Sequence, residues 1–369
     1  MIQAGPGAVC GVVAPGYEPV REAFAAVADG SACAFSAFVD GRVVCDLQAG
    51  GFGPDATTVL YSGTKGVAAT ALLLLVEDGA LDLDAPVAAI WPGFAAAGKS
   101  EIAVATLLAH AAGLPAVERP LERADLADAR ALAAGLAAQA PIFAAGVLSY
   151  HAVTWGWLAG ELALRASGST LGAVIRARLA ETLGLDLRLG LAADDPLAAR
   201  LVRPRLAPDY RLTAFMAAEP DPRLERVYGN PRFPLDSWAD PDLRSIEAPA
   251  VNGVATARAL ATLYGELACG RVLSPETLAR AAQTAAEGDD PLTGRRLRYG
   301  PSGYELAGTP SELGPADDAI GHTGAGGGSH GAWPGLRTGF SFLPAELRSQ
   351  DADHRAADVL AALHGVVAT

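Results

Sequence analysis

Residues 61–76 read YSGTKGVAATALLLLV, a stretch that joins a serine and a lysine three positions apart to a long apolar run. Positions i and i+3 lie on the same face of an α-helix, so the side chains of Ser62 and Lys65 can meet there. The run from residue 67 to residue 76 is almost wholly apolar, which indicates a helix buried in a core. The stretch therefore predicts a buried helix with a polar pair at its amino-terminal end.

Lysine is rare in this chain: 26 of the 28 basic residues are arginines, and Lys65 is one of only two lysines. Arginine does not lose its proton in a protein, whereas a desolvated lysine amine becomes neutral and acts as a base. A serine hydroxyl needs such a base within hydrogen-bond reach to become an effective nucleophile. Ser62 and Lys65 are thus candidates for nucleophile and base. The alternative, a chance pair on a solvated helix face, fits poorly with the apolar run.

Composition limits the partners and cofactors of the protein. A chain of 369 residues can form one large domain or two joined ones, and a net charge of −13 argues against nucleic acid or an anionic membrane surface. No Lys or Arg precedes Arg21, and no apolar stretch is long enough to span a bilayer, so we expect a cytoplasmic protein. The four cysteines lack metal-ligand spacing, and HExxH and phosphate-loop motifs are absent, so we expect no metal or other cofactor.

Hydrophobic patterns predict strands near both ends of the chain and helices between them. Residues 34–39 and 42–47 form two strand-like runs around Asp40-Gly41, a strong hairpin signal. Further strand-like runs and helical spacings follow, at 319–323 and 339–343 for strands, and at 104–111, 124–138, 153–166, 171–181, 256–267 and 351–364 for helices. This order predicts an α/β (α+β) protein. Its sheet domain comes from residues 1–85 and 250–369, and a helical domain comes from residues 86–249.

Residues 203–250 differ from the rest, because they contain eight prolines and several aromatic residues but little periodicity. Long irregular segments of this kind often cover the substrate site of an enzyme. We therefore expect a lid-like segment in which Tyr228, Phe233 and Trp238 face the substrate. A surface excursion without such a role is the alternative.

Several further motifs accompany the Ser62 helix in a characteristic order. They are GYEPVREAF at 16–24, LDLDAPV at 81–87, LLAHAAGLP at 107–115, YHAVTWGWL at 150–158 and HTGAGG at 322–327. Together they make the chain resemble the serine β-lactamase and penicillin-binding-protein superfamily, most closely its β-lactamase-like carboxylesterases and transacylases. The resemblance implies an antiparallel sheet flanked by helices, a mostly helical second domain, and an active site in the cleft between them.

The resemblance also implies roles for individual residues. Tyr150 would relay a proton between Ser62 and the leaving group, so that Lys65 and Tyr150 act as one basic unit whose first proton acceptor is disputed even in relatives. The strand motif at residues 322–324 would line the other side of the cleft, where Gly324 lets a substrate approach the backbone. The N–H of Ala325 would complete an oxyanion hole with that of Ser62. His322 would contact a substrate carbonyl or carboxylate or support Tyr150, with a purely structural role as the alternative.

Two positions depart from the pattern of true β-lactamases and D-Ala-D-Ala peptidases. Ala152 stands where these enzymes usually have asparagine, and His322 where they usually have lysine. Both losses weaken recognition of an anionic β-lactam or peptide. The sequence therefore predicts hydrolysis of a small-molecule ester through a Ser62 acyl-enzyme. The acyl acceptor stays open between water and, in a transacylase of secondary metabolism, an amine or alcohol. A β-lactamase, a peptidase and a non-catalytic binding protein are the weaker alternatives.

A competing motif occurs at residues 327–331, where GGSHG fits the G-x-S-x-G nucleophile elbow of α/β-hydrolases. That elbow needs a strand before it and a helix after it. Here the following residues, 332–336, read AWPGL and cannot begin a long helix. Ser329 is therefore a poor candidate for the nucleophile.

Overall fold

The computed structural model describes residues 9–211, 221–308, 312–349 and 352–369. The strands in these ranges are β1 (Cys10–Val13), β2 (Cys33–Val39), β3 (Arg42–Ala49), β4 (Thr58–Val59), β5 (Leu187–Leu189), β6 (Arg205–Leu206), β7 (Gly253–Ala255), β8 (Ala286–Asp289), β9 (Arg296–Tyr299), β10 (Glu305–Leu306), β11 (Ile320–Gly324), β12 (Gly328–Trp333), β13 (Thr338–Pro344) and β14 (Glu346–Leu347). The α-helices are α1 (Glu18–Ala28), α2 (Gly63–Glu77), α3 (Val87–Ile90), α4 (Val104–Leu108), α5 (Ala129–Ala138), α6 (Thr154–Ser167), α7 (Leu171–Ile175), α8 (Glu181–Leu183), α9 (Pro222–Tyr228), α10 (Pro241–Ser245), α11 (Ala257–Ala268), α12 (Pro275–Ala281) and α13 (Arg355–Val367).

A nine-stranded antiparallel sheet in the order β1-β3-β2-β13-β12-β11-β10-β9-β8 forms the centre of the molecule. Early and late parts of the chain meet in this sheet, because β2 pairs with β13. Cys33 is opposite Pro344 at one end of the pair, and Val39 is opposite Thr338 at the other end. The turn between β2 and β3 has positive φ at both Asp40 and Gly41, as a two-residue hairpin turn requires. The prediction of an antiparallel sheet flanked by helices is confirmed.

Helices cover both faces of this sheet. Alternate residues of β2 point to opposite faces, so Phe35 packs with Phe24 of α1 and Leu360 of α13, whereas Phe38 lies against Gly265 of α11. Helices α2 and α11 lie on this second face, in the largest hydrophobic core of the described residues. The sheet thus separates a small core from the core that contains the Ser62 helix.

Helix α2 is buried over nearly its whole length, from Gly63 to Leu75, as its apolar sequence predicted. It follows Ser62 directly, and the chain turns away at Gly79, whose φ of 70° suits glycine. The central position of α2 holds its amino-terminal end, with Ser62, in a fixed place beside the sheet.

The segment at 203–250 is more regular than the sequence indicated. Within its described residues it contains β6, α9, a 3-10 turn at Leu235–Ala239, and α10. Prolines separate these short elements, so none is long enough to show a clear hydrophobic periodicity in the sequence. Residues 212–220 of this segment lie outside the described residues. The division of the chain into a sheet domain and a helical domain at 86–249 stays a prediction.

Strands β8 to β10 were missed by the sequence analysis, because residues 295–299 read RRLRY and lack apolar alternation. One sequence signal for β8 and β9 was available: the turn-rich segment DPLTG at 290–294, which separates the two short segments that form these strands. These strands extend the sheet beyond β11 and bring a charged loop to the cleft. In the described part of the chain, no helix has both the length and the apolarity needed to cross a bilayer.

Candidate active site

Ser62 lies at the start of α2, directly after a residue in an unusual backbone conformation. Tyr61 has a φ of 49°, a left-handed value that costs energy for a bulky side chain. The turn is fixed on both sides, because Leu60 N donates to Gly253 O at 2.8 Å and Gly63 N donates to Leu60 O at 3.0 Å. Strain of this kind is typical of functional sites, and here it sets the position of the Ser62 side chain.

Lys65 is fully buried and makes three polar contacts through its Nζ atom. These contacts are Ser62 Oγ at 3.1 Å and the carbonyl oxygens of Ala152 at 2.8 Å and Ala250 at 3.0 Å. A neutral amine has two N–H bonds and one lone pair. When the two N–H groups donate to the two carbonyls, the lone pair is left to accept the Ser62 hydroxyl proton.

Burial also sets the protonation state of Lys65. Desolvation lowers the pKa of the Lys65 amine well below its usual value of 10.5, and the more distant Glu305 carboxylate only partly opposes this effect. An amine that is neutral in the folded protein can accept a proton. The sequence-based pairing of Ser62 with Lys65 thus has the geometry and the electrostatics of a nucleophile and its base.

Tyr150 reaches the same point from the loop before α6. Its hydroxyl hydrogen-bonds to Ser62, and its ring centroid lies 4.9 Å from Lys65 Nζ. Burial raises the pKa of Tyr150 above its usual value of 10, and the hydrogen bond to Ser62 opposes this only in part. The phenol therefore keeps its proton at neutral pH, whereas the neutral Lys65 amine is free to accept one.

Two buried histidines hold the loop that carries Tyr150. His151 accepts from Leu114 N at 2.9 Å through Nε2 and donates to Ser149 O through Nδ1, while its own N–H donates to His110 Nδ1 at 3.0 Å. The His110 ring lies 4.8 Å from the ring centroid of Tyr150. These contacts place the phenol beside Ser62. The sequence analysis assigned no catalytic or binding role to either histidine.

The opposite side of the site is formed by β11. A side-chain carbon at Gly324 would lie 2.6 Å from Leu60 O and 3.6 Å from Gly63 N, so this strand can approach the start of α2 only because residue 324 is glycine. The N–H groups of Ser62 and Ala325 make no hydrogen bond within the described ranges. Both donors are therefore available to a substrate oxygen, as an oxyanion hole requires.

His322 lies on β11 with a defined tautomer. Its Nδ1 lies 2.7 Å from Thr323 O, and because a carbonyl only accepts, Nδ1 carries the proton. Burial lowers the pKa of His322 to about 3, so the ring is neutral and its Nε2 is an acceptor. This nitrogen has no hydrogen-bond partner among the described residues.

Ser62, Tyr150, His322, Gly324 and Ala325 line a common cavity of about 160 Å³. One part of its lining is apolar and contains all three aromatic residues that the sequence analysis assigned to the lid, and the other part is polar and charged. The apolar part contains Leu126, Val227, Tyr228, Phe233, Leu235, Trp238 and Val251, and the polar part contains Asp290, Thr293, Arg295, Glu305, His322 and Thr323. Whether the aromatic residues move as a lid stays a prediction.

Glu305 is the main polar residue that the sequence analysis missed. Its Oε2 accepts from Thr323 N at 3.0 Å and from Thr323 Oγ1 at 2.9 Å, and it lies 3.7 Å from His322 Nδ1. Burial, followed by the repulsion of Glu312, raises the pKa of Glu305 to about 7. Nothing in the sequence around residue 305 indicates this contact, because it depends on the pairing of β10 with β11.

Ser329, the serine of the competing motif, lies on β12 and not at a strand-to-helix turn. Its hydroxyl donates to Glu312 O at 2.8 Å, and β12 is followed by a 3-10 turn at Pro334–Leu336 and then β13. Because Ser329 lies within a strand and no α-helix directly follows it, residues 327–331 do not form a nucleophile elbow.

Comparison with known proteins gives a consistent result. The Beta-lactamase family matches residues 20–364. The esterase/beta-lactamase LipL of Mycobacterium tuberculosis (strain ATCC 25618 / H37Rv) is 33% identical over 358 residues, which cover 90% of this chain and 82% of that protein. A novel penicillin-binding-protein homologue from Caulobacter crescentus is 33% identical with a TM-score of 0.86, and a family VIII carboxylesterase is 32% identical with a TM-score of 0.89. Each of these two alignments covers 97% of this chain and 100% of the other. The chain belongs to the Beta-lactamase family.

Proposed function

We propose that this protein is a serine carboxylesterase that cleaves small-molecule esters through an acyl-enzyme on Ser62. The observation that carries the proposal is the fully buried Lys65 amine, 3.1 Å from Ser62 Oγ and oriented by two backbone carbonyls. The esterase names of two relatives, LipL and the family VIII carboxylesterase, agree with a serine hydrolase of the esterase type acting on a small molecule.

In the acylation step, neutral Lys65 accepts the hydroxyl proton of Ser62 while Ser62 Oγ attacks the ester carbonyl carbon. The carbonyl oxygen gains negative charge and accepts from the N–H groups of Ser62 and Ala325. When the tetrahedral intermediate collapses, the carbon–oxygen bond to the alcohol breaks. Tyr150 donates its proton to the leaving alkoxide and recovers a proton from Lys65, so the amine is neutral again.

Deacylation repeats these roles with water. The Lys65–Tyr150 pair accepts a proton from the water molecule as its oxygen attacks the acyl carbon, and then returns the proton to Ser62 Oγ as the acid is released. The neutral ring of His322 supplies no fixed positive charge for a substrate carboxylate. This favours esters over the anionic β-lactams that a lysine at this position would bind.

A short p-nitrophenyl ester tests the proposal. We expect a burst of nitrophenol and an acyl adduct on Ser62 that mass spectrometry locates. The Ser62→Ala variant should lose both. Ser329→Ala is the matched control and should keep both, because Ser329 lies outside the cavity lining and only bonds the backbone of Glu312. Activity that survives in Ser62→Ala and disappears in Ser329→Ala would contradict the assignment. Adding an amine acceptor to the assay distinguishes transfer from hydrolysis by the product that forms.

A further inference from the structure

We propose that the cleft selects esters whose acyl chain carries a protonated amine a few bonds from the scissile carbonyl. This inference rests on the proposed esterase function and adds the substrate class. It follows from the hydrogen-bond acceptors and acidic side chains of one cavity wall, which is formed by the loop between β8 and β9 together with β10 and β11.

The first acceptor is His322 Nε2. The ring is almost fully buried and lines the cavity, and its proton is held on Nδ1 by the Thr323 carbonyl. The Nε2 lone pair has no partner in the described part of the chain. A buried acceptor without a partner costs free energy, and a substrate N–H group would satisfy it. A substrate carboxylate offers only lone pairs and would be repelled.

Carboxylates provide the negative charge of the same wall. The charged residues among those that line the cavity are Asp290, Glu305 and Arg295. Arg295 lies 2.7 Å from the carboxylate of Glu312, so its positive charge is already compensated. With Arg295 paired to Glu312, Asp290 and the ionised form of Glu305 leave the wall negative towards a bound substrate.

The position of Glu305 indicates which part of a substrate would meet this charge. Its carboxylate is fixed on Thr323, next to His322 and two residues before Ala325, whose N–H is the proposed oxyanion donor. A cation near Glu305 therefore lies close to the carbonyl being attacked, on the acyl side of the ester. Such a cation would also hold the Glu305 carboxylate in its ionised form.

Three phenyl esters of matched size test the proposal on the unmodified protein: the cationic 3-aminopropanoate, the neutral butanoate and the anionic hemisuccinate. Each kcat/KM value is divided by the hydroxide-catalysed rate of the same ester. We expect the cationic ester to exceed the neutral one about tenfold, since a charged hydrogen bond is worth more than a neutral contact. The anionic ester should be slowest, and added salt should reduce the differences.

Glu305→Gln identifies the source of the preference, because the amide oxygen still accepts from Thr323 while the charge is removed. We expect the ratio of cationic to neutral kcat/KM to fall towards one. Glu287→Gln is the matched control: it removes the same charge from exposed β8, outside the cavity lining, and should keep the ratio of the unmodified protein.

Three results would overturn the inference. Preference for the anionic ester would make Arg295 a carboxylate-binding residue. Equal rates for all three esters would remove the charge selection and leave the esterase function intact. No cleavage of any ester would remove both the function and the inference.

Discussion

Lys65 illustrates at the scale of one residue how surroundings define a chemical role. Its amine is fully buried, and desolvation lowers its pKa, while the two carbonyls of Ala152 and Ala250 fix its direction. The second lysine, Lys99, is also buried and donates to the carbonyls of Ala96 and Gln139, but it has no serine beside it. The two residues therefore provide a natural comparison.

Replacing Lys65 with arginine should abolish most of the activity. Arginine keeps its proton, so Ser62 loses its base, and we expect kcat/KM for a neutral ester to fall about 10²- to 10⁴-fold. Lys99→Arg should leave kcat/KM within about twofold. Steady-state kinetics on both variants, with circular dichroism to verify folding, check this. An active Lys65→Arg enzyme would mean that Tyr150 alone suffices as the base.

At the scale of secondary-structure elements, the site depends on how closely β11 approaches the start of α2. Gly324 permits this approach, because a side-chain carbon there would collide with Leu60 O. In the proposed oxyanion hole, this close approach would bring the Ala325 N–H towards the N–H of Ser62. Any separation of the two elements therefore changes the oxyanion site first.

Gly324→Ala should move β11 away from α2 and weaken the oxyanion hole. Loss of one oxyanion donor costs about 10²- to 10³-fold in kcat, so we expect a fall of that order with a smaller change in KM. Gly288→Ala on β8 is the control, since its added carbon meets no atom within 4 Å. Unchanged kcat in Gly324→Ala, measured beside the control, would argue against the Ala325 N–H as a donor.

Helix α5 contains a glycine, Gly135, at a position where a larger residue would fit. Gly135 is exposed in the helix interior, and an added carbon there meets no other atom within 4 Å. Gly135→Ala should raise the free energy of unfolding by about 0.5–1 kcal/mol and leave kcat/KM unchanged. Urea denaturation measures the first quantity. A lower midpoint would show that α5 is strained at this position.

The sequence predicted the elements whose signals are local. The Asp40-Gly41 hairpin, the buried Ser62 helix and the strand at 320–324 follow from turn residues and apolar periodicity. The contact of Glu305 with Thr323 was not predictable, because it depends on the pairing of β10 with β11. The tautomer of His322 was not predictable either, because it depends on the exact backbone geometry that brings Nδ1 to the neighbouring Thr323 carbonyl. The neutral state of His322 likewise follows from its burial in the fold.

At the scale of the whole molecule, several buried neutral histidines make the fold sensitive to acid. Burial lowers the pKa of His151 to about 4 and of His322 and His330 to about 3, from an ordinary value of 6.5. Between pH 6.5 and those values the unfolded chain binds more protons than the folded chain, so stability decreases as the pH falls. Glu305 has the opposite effect on stability: because its pKa is raised to about 7, the folded chain binds its proton more readily than the unfolded chain as the pH falls.

We therefore expect the free energy of unfolding to decrease steadily from pH 6.5 towards pH 4.5. Each of the three histidines contributes about 1.4 kcal/mol per pH unit to the loss, and Glu305 offsets about one such contribution. Urea denaturation at several pH values measures the slope. Stability that stays constant or rises over this range would contradict the neutral burial of these histidines.

The pairing of β2 with β13 also has a consequence for the order in which the protein becomes active. The partners lie about 300 residues apart, so the central strands can join only after almost all of the chain described here has been synthesised. Ser62 and Lys65 emerge from the ribosome before β11, the strand that would complete their site. We therefore expect a chain that is truncated before β11 to lack the proposed active site, even though it contains Ser62 and Lys65.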